Sequence, residues 1–172
     1  MDMETTTSFE TKLKASRQEI LPDSPGVIVF PPVLPLGSLA LGLTLHFFLP
    51  VHLFASGWPR IAGAVLAAVC IIVGWWAIAA MKRAETNVRP NQPALAIVTD
   101  GPFRFSRNPI YVANSIVYLG LALAFDTAWP LFLFVPMMMV LYWGIILREE
   151  RYLEAKFGEA YLEYKTRVRR WL

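Results

Sequence analysis

Charged residues are scarce in this chain of 172 residues. Asp, Glu, Lys and Arg together make up 17% of the sequence, whereas hydrophobic residues make up 56%. A soluble domain typically carries about 25% charged residues. Here the missing charges leave whole stretches uncharged, and the mean hydropathy is +0.46. This pattern argues against an ordinary soluble globular domain and indicates an integral membrane protein.

Cysteine is nearly absent too, since Cys70 is the only one. A single cysteine excludes an intrachain disulfide framework. The histidines His46 and His52 lie at a spacing and depth that do not suggest a metal site, so we predict none. The net charge of +3 is small, and we expect no nucleic-acid partner. Residues 1–26 are polar and lack a positive start followed by an apolar core, so we expect no cleaved signal peptide.

Four apolar segments predict transmembrane helices, at residues 34–54, 61–81, 110–125 and 129–147. Prolines crowd the start of the first segment, so its regular helix is expected to begin near Leu36, and Pro50 is expected to kink or end it. The third segment is short for a span of about 20 residues. Only residues 126–128 separate it from the fourth, which predicts a tight antiparallel hairpin.

Lysine and arginine are strongly biased to one side of this arrangement. Fifteen of the sixteen lie before the first span, between the second and third, or after the fourth, and only Arg60 lies on the other side. The positive-inside rule therefore predicts that both termini and the loop 82–109 are cytoplasmic.

The first polar cluster, residues 100–111, ends where the third span begins. Asn108 and Pro109 are typical of a helix N-cap followed by a first helical residue. A helix N-terminus beside Arg104 and Arg107 suits an anionic group such as a carboxylate or phosphate. The alternative is that these arginines only set the membrane topology.

The second polar cluster follows the fourth span and contains the adjacent carboxylates Glu149 and Glu150 between Arg148 and Arg151. They either face a polar or cationic ligand or form a solvated, self-paired run of charges. Because the third span begins on the side where the fourth ends, the two clusters should be neighbours and could line one pocket.

The C-terminal residues repeat apolar side chains at intervals of three and four, which predicts an amphipathic helix. Gly158 is expected to break it into two pieces. Two interpretations have equal weight: a helix resting on the membrane surface, or a cap folded over a cytoplasmic pocket.

Together these residues resemble the isoprenylcysteine carboxyl methyltransferase family and the related phospholipid methyltransferases. The similar blocks are Gly-Pro-Phe-Arg at 101–104, Ser-Arg-Asn-Pro-Ile-Tyr at 106–111, Glu-Glu-x-x-Leu at 149–153 and the tail 157–168. In the family the first motif reads Arg-His-Pro-x-Tyr, and the second reads Glu-Glu-x-x-Leu. Asn108 stands at the histidine position, and an amide cannot titrate. Ala113 stands where the family often has glycine.

The apolar pattern predicts an all-α, polytopic membrane protein with about four transmembrane helices and a C-terminal amphipathic helix. It divides the chain into a polar or interfacial segment 1–33, two spans in 34–81 and the part 82–172, which the resemblance identifies as a methyltransferase core. The resemblance also implies binding of S-adenosyl-L-methionine. The cofactor-binding residues expected from it are Gly101, Arg104, Arg107, Asn108, Pro109, Tyr111, Asn114, Glu149 and Glu150. Arg107 and Glu150 are expected to be catalytic.

The expected partners are membrane lipids and a lipophilic or small-molecule methyl acceptor. A prenylated cysteine carboxylate, a phospholipid amine and a small thiol all remain open, and the sequence does not indicate the oligomeric state. Two rival interpretations are a non-catalytic membrane protein and a membrane reductase, although no Gly-x-Gly-x-x-Gly motif is present. The polar residues 85–89 either complete the pocket or form an ordinary loop. His46 is a weaker functional candidate because it lies inside a span.

Overall fold

The computed structural model describes residues 24–172, and this part of the chain is helical with no β-strand. The all-α prediction is therefore confirmed for these residues. The expectations for residues 1–23 lie outside the described part of the chain.

Six α-helices occupy most of the described chain. Their bounds are α1 Val33–Phe48, α2 Trp58–Arg83, α3 Pro109–Ala124, α4 Trp129–Leu141, α5 Leu147–Phe157 and α6 Glu159–Arg167. A 3-10 turn, Gly101–Arg104, precedes α3. A π-helical segment, Tyr142–Ile146, joins α4 to α5, so that one continuous helix runs from Trp129 to Phe157.

Two helices are long and apolar enough to cross a membrane, namely α2 and the continuous helix Trp129–Phe157. α1 and α3 are apolar but have 16 residues each. At a rise of about 1.5 Å per residue such a helix is about 24 Å long, against about 30 Å of hydrocarbon. Four complete spans and the cytoplasmic placement of both termini therefore remain predictions.

The first helix differs from the expected segment 34–54 at both ends. It begins at Val33, so the expected start near Leu36 was wrong. Pro32 is the N-cap and Pro35 lies in the first turn, where backbone N–H groups lack an intrahelical acceptor and proline is tolerated. The helix ends at Phe48, ahead of Pro50, because the residue before a proline disfavours the α conformation.

Small residues let the helices approach closely. A Cβ added to Gly63 of α2 would lie 2.6 Å from the carbonyl oxygen of Gly120 in α3, and one added to Gly120 would lie 2.8 Å from the carbonyl oxygen of Gly63. Such glycine contacts are typical of helix pairs in membranes. α2 packs mainly on α3, and α1 packs mainly on α4.

The segment before α1 lies against the π-helical segment. The backbone N–H of Ile28 donates to the carbonyl of Gly144 (3.3 Å), and Arg148 Nη1 donates to the carbonyl of Gly26 (3.0 Å). This segment therefore covers the end of the bundle where α3 begins and α5 starts.

Candidate functional site

The start of α3 is held by tertiary contacts. Asn108 is the N-cap and Pro109 is the first helical residue, as expected, but the Asn108 side chain makes no capping bond. Its Nδ2 donates to the carbonyl of Arg170 (3.2 Å) and to Glu150 Oε1 (3.5 Å). Ser106 Oγ accepts from the Asn108 N–H (3.1 Å) and donates to the same Arg170 carbonyl (3.1 Å). The chain terminus is thereby fixed onto the first polar cluster.

Glu150 is a buried carboxylate, only 5% exposed. Arg170 holds it in a bidentate pair, with Nε 2.9 Å from Oε1 and Nη2 2.8 Å from Oε2. Arg107 Nη2 lies 3.6 Å from Oε1. Burial raises the pKa of Glu150, but the bonds and charges of the two arginines outweigh burial, and the pKa lies below its ordinary value. Glu150 is therefore ionised at neutral pH.

Arg107 is an incompletely paired buried cation. Its side chain is 8% exposed. Nε and Nη1 have no hydrogen-bond partner among the described residues. Its backbone N–H donates to the carbonyl of Arg169 (2.9 Å). Buried donors are normally satisfied, so these two nitrogens indicate a place for an acceptor that residues 24–172 do not provide.

Glu149 is the second carboxylate, and it pairs with Tyr111, whose hydroxyl donates to Oε1 at 2.7 Å. Both glutamates follow the apolar stretch 129–147, outside the segment that we assign to the membrane. Burial raises the pKa of Glu149 to about 7, the charge of Glu150 adds to the rise, and the bond from Tyr111 opposes it. Glu149 can therefore be neutral or ionised near physiological pH.

A cavity of about 480 Å³ joins these groups. Its polar part is lined by Arg107, Asn108, Tyr111, Asn114, Glu149, Glu150 and Tyr161. Its apolar part is lined by Phe30, Pro31, Pro32, Cys70, Ile71, Trp75, Ile78 and Val117. A volume of this size is typical of a small-molecule site.

The structure brings together most of the predicted site residues but not all of them. Seven line the cavity, namely Arg107, Asn108, Pro109, Tyr111, Asn114, Glu149 and Glu150. Gly101 and Arg104 are not among the lining residues. Gly101 has φ +57° and packs against the Trp76 ring, and Arg104 is exposed. The geometry therefore gives no support to a cofactor contact at these two positions.

The C-terminal helices favour the cap interpretation. Gly158 has φ +53° and separates α5 from α6, which confirms the expected break. Tyr161 of α6 lines the cavity, and the hydroxyl of Tyr164 donates to the carbonyl of Phe103 (2.8 Å). Burial raises the pKa of Tyr161 to about 12, and the charge and hydrogen bond of the neighbouring Arg107 oppose this rise. α6 thus closes one side of the cavity.

Sequence reasoning missed three residues of the site. Arg170 and Tyr142, which are joined by a bond of 2.8 Å from Nη1 to the hydroxyl, arrange Glu150. Tyr161 belongs to the apolar side chains that repeat in the C-terminal residues, so in the sequence it resembled an ordinary packing residue. Arg170 gave no local signal, because it lies 20 residues from its partner Glu150.

The loop after α2 also contributes to the cavity. Asn87 and Arg89 line it. Thr86 is buried, and its Oγ1 accepts from the backbone N–H of Leu95 (2.9 Å), so its role is to fold the loop. Glu85 is exposed.

Asp126 is another buried carboxylate. It lies in the α3–α4 turn, at the end of the bundle opposite to Glu150. Its oxygens accept from Arg60 Nη2 (2.6 Å) and from the backbone N–H groups of Leu53 (2.9 Å) and Phe54 (3.0 Å). His52 Nδ1 lies 3.1 Å away. The Arg60 bond is the main reason that the pKa of Asp126 lies below its ordinary value. His46 meets His52 edge to face, with ring centroids 5.0 Å apart.

Comparison with known proteins shows which family the chain resembles. The model of the phospholipid methyltransferase family matches residues 58–160, which is more than half of the chain. A protein of Haemophilus influenzae, named only as an uncharacterized protein, is 42% identical over 63 residues, covering 37% of this chain and 79% of the relative. No solved structure matches the chain significantly.

Proposed function

The chain belongs to the phospholipid methyltransferase family, and from this premise we propose that it is a membrane methyltransferase that takes the methyl group from S-adenosyl-L-methionine. The match runs from α2 into α6 and includes both polar clusters. The family supports methyl transfer in general terms, whereas the donor, the acceptor and the residue roles are our proposals.

The observation that carries the proposal is the pair of Arg107 nitrogens in the cavity wall, Nε and Nη1, that have no hydrogen-bond partner among the described residues. S-adenosylmethionine has a carboxylate, and the N–H groups of arginine form strong charge-assisted hydrogen bonds to carboxylates. Nε and Nη1 can each donate one such bond. Under this proposal Arg107 contacts the cofactor. Replacing Arg107 should therefore remove a large part of the free energy of cofactor binding.

The neighbouring groups suit the remaining polar parts of the cofactor. Glu149 offers a carboxylate to the ammonium group, and Tyr111 holds that carboxylate in place. Asn114 and Asn108 offer amide donors and acceptors at the same wall. When bound, the cofactor supplies a methyl group activated by its sulfonium sulfur. The residues of the chain then have to bind the two reactants, hold them in line and exclude water. Holding reactants in the right geometry accelerates such a reaction.

The apolar part of the cavity suits a lipophilic acceptor. Its wall is formed by α2, α3 and the segment before α1, and the α2 residues Ile71 and Trp75 are 48% and 74% exposed. Exposed apolar side chains on a membrane helix face lipid, so an apolar molecule would enter from the side of the bundle. A charged cofactor would enter from the polar end, which we propose to be cytoplasmic because most Lys and Arg residues lie there.

A methyl-transfer assay on the detergent-purified chain tests the proposal. Radiolabelled S-adenosylmethionine is supplied with vesicles of an aminophospholipid, with a prenylated cysteine or with a small thiol. We expect label in one of the first two acceptors, and loss of that label in Glu149→Ala. Label in the thiol alone would overturn the lipophilic acceptor. No label in any acceptor, together with no binding of the cofactor, would overturn methyltransferase activity.

A further inference from the structure

The two arginines beside Glu150 are held very differently. Arg170 makes two bonds of 2.9 and 2.8 Å to the carboxylate, the length of a strong charge-assisted bond. Arg107 Nη2 stands at 3.6 Å, beyond that length. One negative charge thus faces two positive charges, and Arg170 takes both carboxylate oxygens.

We propose that Arg170 is a positioning residue, which occupies Glu150 so that the Arg107 guanidinium stays available to an anionic ligand. The inference rests on the proposed function for the identity of that ligand. Without Arg170 the oxygens of Glu150 are vacated, and the nearest buried cation is Arg107. Arg107 then closes the gap, forms the ion pair and loses its capacity to bind an anion.

The contacts of Arg170 show why it can hold this position. Its carbonyl accepts from Ser106 Oγ and Asn108 Nδ2. Its Nη1 donates to the hydroxyl of Tyr142 at 2.8 Å, and its guanidinium lies 5.2 Å from the centre of the Tyr142 ring. The backbone bond from Arg107 to Arg169 aligns the two segments. Arg170 lies outside the residues that the family model matches, so the inference concerns this chain.

The test compares Arg170→Ala, Glu150→Gln and the double variant by calorimetric titration with S-adenosylmethionine. We expect Arg170→Ala to weaken binding by about tenfold or more, because Arg107 would then pair with Glu150, and losing a charged contact to the ligand costs at least that much. Because Glu150→Gln removes the charge that would capture Arg107, the double variant should bind as well as Glu150→Gln alone. The control is Arg169→Ala, whose side chain is exposed and whose backbone carbonyl is retained.

Two results of the titration would overturn the inference. If the double variant binds as weakly as Arg170→Ala, Arg170 serves only as a structural clasp. If Arg169→Ala weakens binding as much as Arg170→Ala, general positive charge explains the effect.

A measurement without ligand separates this inference from the proposed function. Melting temperatures of Arg107→Gln, Glu150→Gln and their combination give the coupling between the two residues, once with Arg170 present and once in the Arg170→Ala variant. We expect the coupling to be larger in the Arg170→Ala variant. In a protein of this size, each kcal/mol of additional coupling shifts the melting temperature by about 2–4 °C. Equal coupling with and without the Arg170 side chain would overturn the inference. If the unmodified chain does not bind the cofactor, the proposed function fails and this cycle alone decides.

Discussion

Two buried carboxylates mark the two ends of the bundle, and each has an arginine beside it. Asp126, in the α3–α4 turn, receives bonds from Arg60, from two backbone N–H groups and from His52. Glu150, where α5 begins, has two arginines, and Arg107 keeps two nitrogens without a partner among the described residues. One end is balanced in charge, whereas the other has a surplus of cationic donors next to a cavity.

We propose that this difference distinguishes a structural clamp at Asp126 from a ligand-binding site at Arg107. Asp126 collects donors from the segment after α1 and from the start of α2, and thereby fixes three parts of the chain in one place. Arg60 is half exposed and has its partner. Arg107 is buried without full pairing, and a buried donor left unpaired costs about 1–3 kcal/mol. We propose that a ligand completes the pairing of Arg107.

The largest expected effect comes from Arg107→Ala. Losing a buried charged contact typically costs about 2–5 kcal/mol of binding free energy, so the affinity for S-adenosylmethionine should fall by about a hundredfold. Calorimetric titration measures it. Arg151→Ala is the matched control, because Arg151 is exposed on α5. Arg107→Lys, which keeps a charge without the planar fork, should lie between the two. An unchanged affinity in Arg107→Ala would remove the contrast between the two ends.

The opposite end should respond through stability alone. Asp126→Asn removes the charge that Arg60 and His52 face, so the melting temperature at neutral pH should fall while the affinity of the folded protein stays the same. The lowered pKa of Asp126 means that its stabilisation is present above about 4, the pKa of the carboxyl in an unfolded chain, and is lost as the pH falls through the folded value. A loss of cofactor affinity in Asp126→Asn would contradict its role as a clamp.

A smaller effect is expected from pH. Because the pKa of Glu149 is raised to about 7, its carboxylate is protonated in mild acid and cannot attract an ammonium group. The affinity should therefore fall by about tenfold from about pH 8 to about pH 6, since each pH unit below the pKa costs up to one order of magnitude in the ionised fraction. Glu149→Gln should bind weakly and lose this dependence. A pH profile that is the same in both proteins would exclude Glu149 from the cofactor contact.

The smallest effect is expected from Asn108→His, which introduces the residue that the family motif carries. A neutral imidazole can supply one N–H donor in place of the amide. Arg107 and Arg170 nearby disfavour its protonation, whereas the Glu150 carboxylate favours it. The affinity should therefore change by less than about tenfold, an energy close to that of one charge-assisted hydrogen bond. A larger loss would show that both amide bonds, to Glu150 and to the Arg170 carbonyl, are needed.

Much of the fold follows from patterns that are local in the sequence. The apolar segments predicted α2, α3 and α4, and the Asn108-Pro109 pair predicted where α3 begins. The short turn 126–128 predicted that both polar clusters meet at one end. The start of α1 was misjudged because prolines were taken as helix breakers, although a first turn accepts them.

The details of the site depend on contacts between distant residues. Glu150 lines the cavity, and its role in holding the cofactor stays a prediction. Its bidentate pair with Arg170 was not foreseen, because no periodicity or motif links these two positions. Asp126 was expected only as part of a turn, because its donors, the side chains of Arg60 and His52 and two backbone N–H groups, lie 66 to 74 residues away in the sequence. Pairs between residues so far apart in the sequence form only when the helices pack. The sequence alone therefore predicts which polar clusters are neighbours, but not which side chains pair within them.

The most direct test of the account is a calorimetric titration of the folded, detergent-purified chain with S-adenosylmethionine, with NADPH as the control ligand. The account predicts saturable binding of S-adenosylmethionine at one site per chain and no binding of NADPH. No binding of S-adenosylmethionine to a sample that unfolds cooperatively would contradict it, and saturable binding of NADPH would favour a reductase instead.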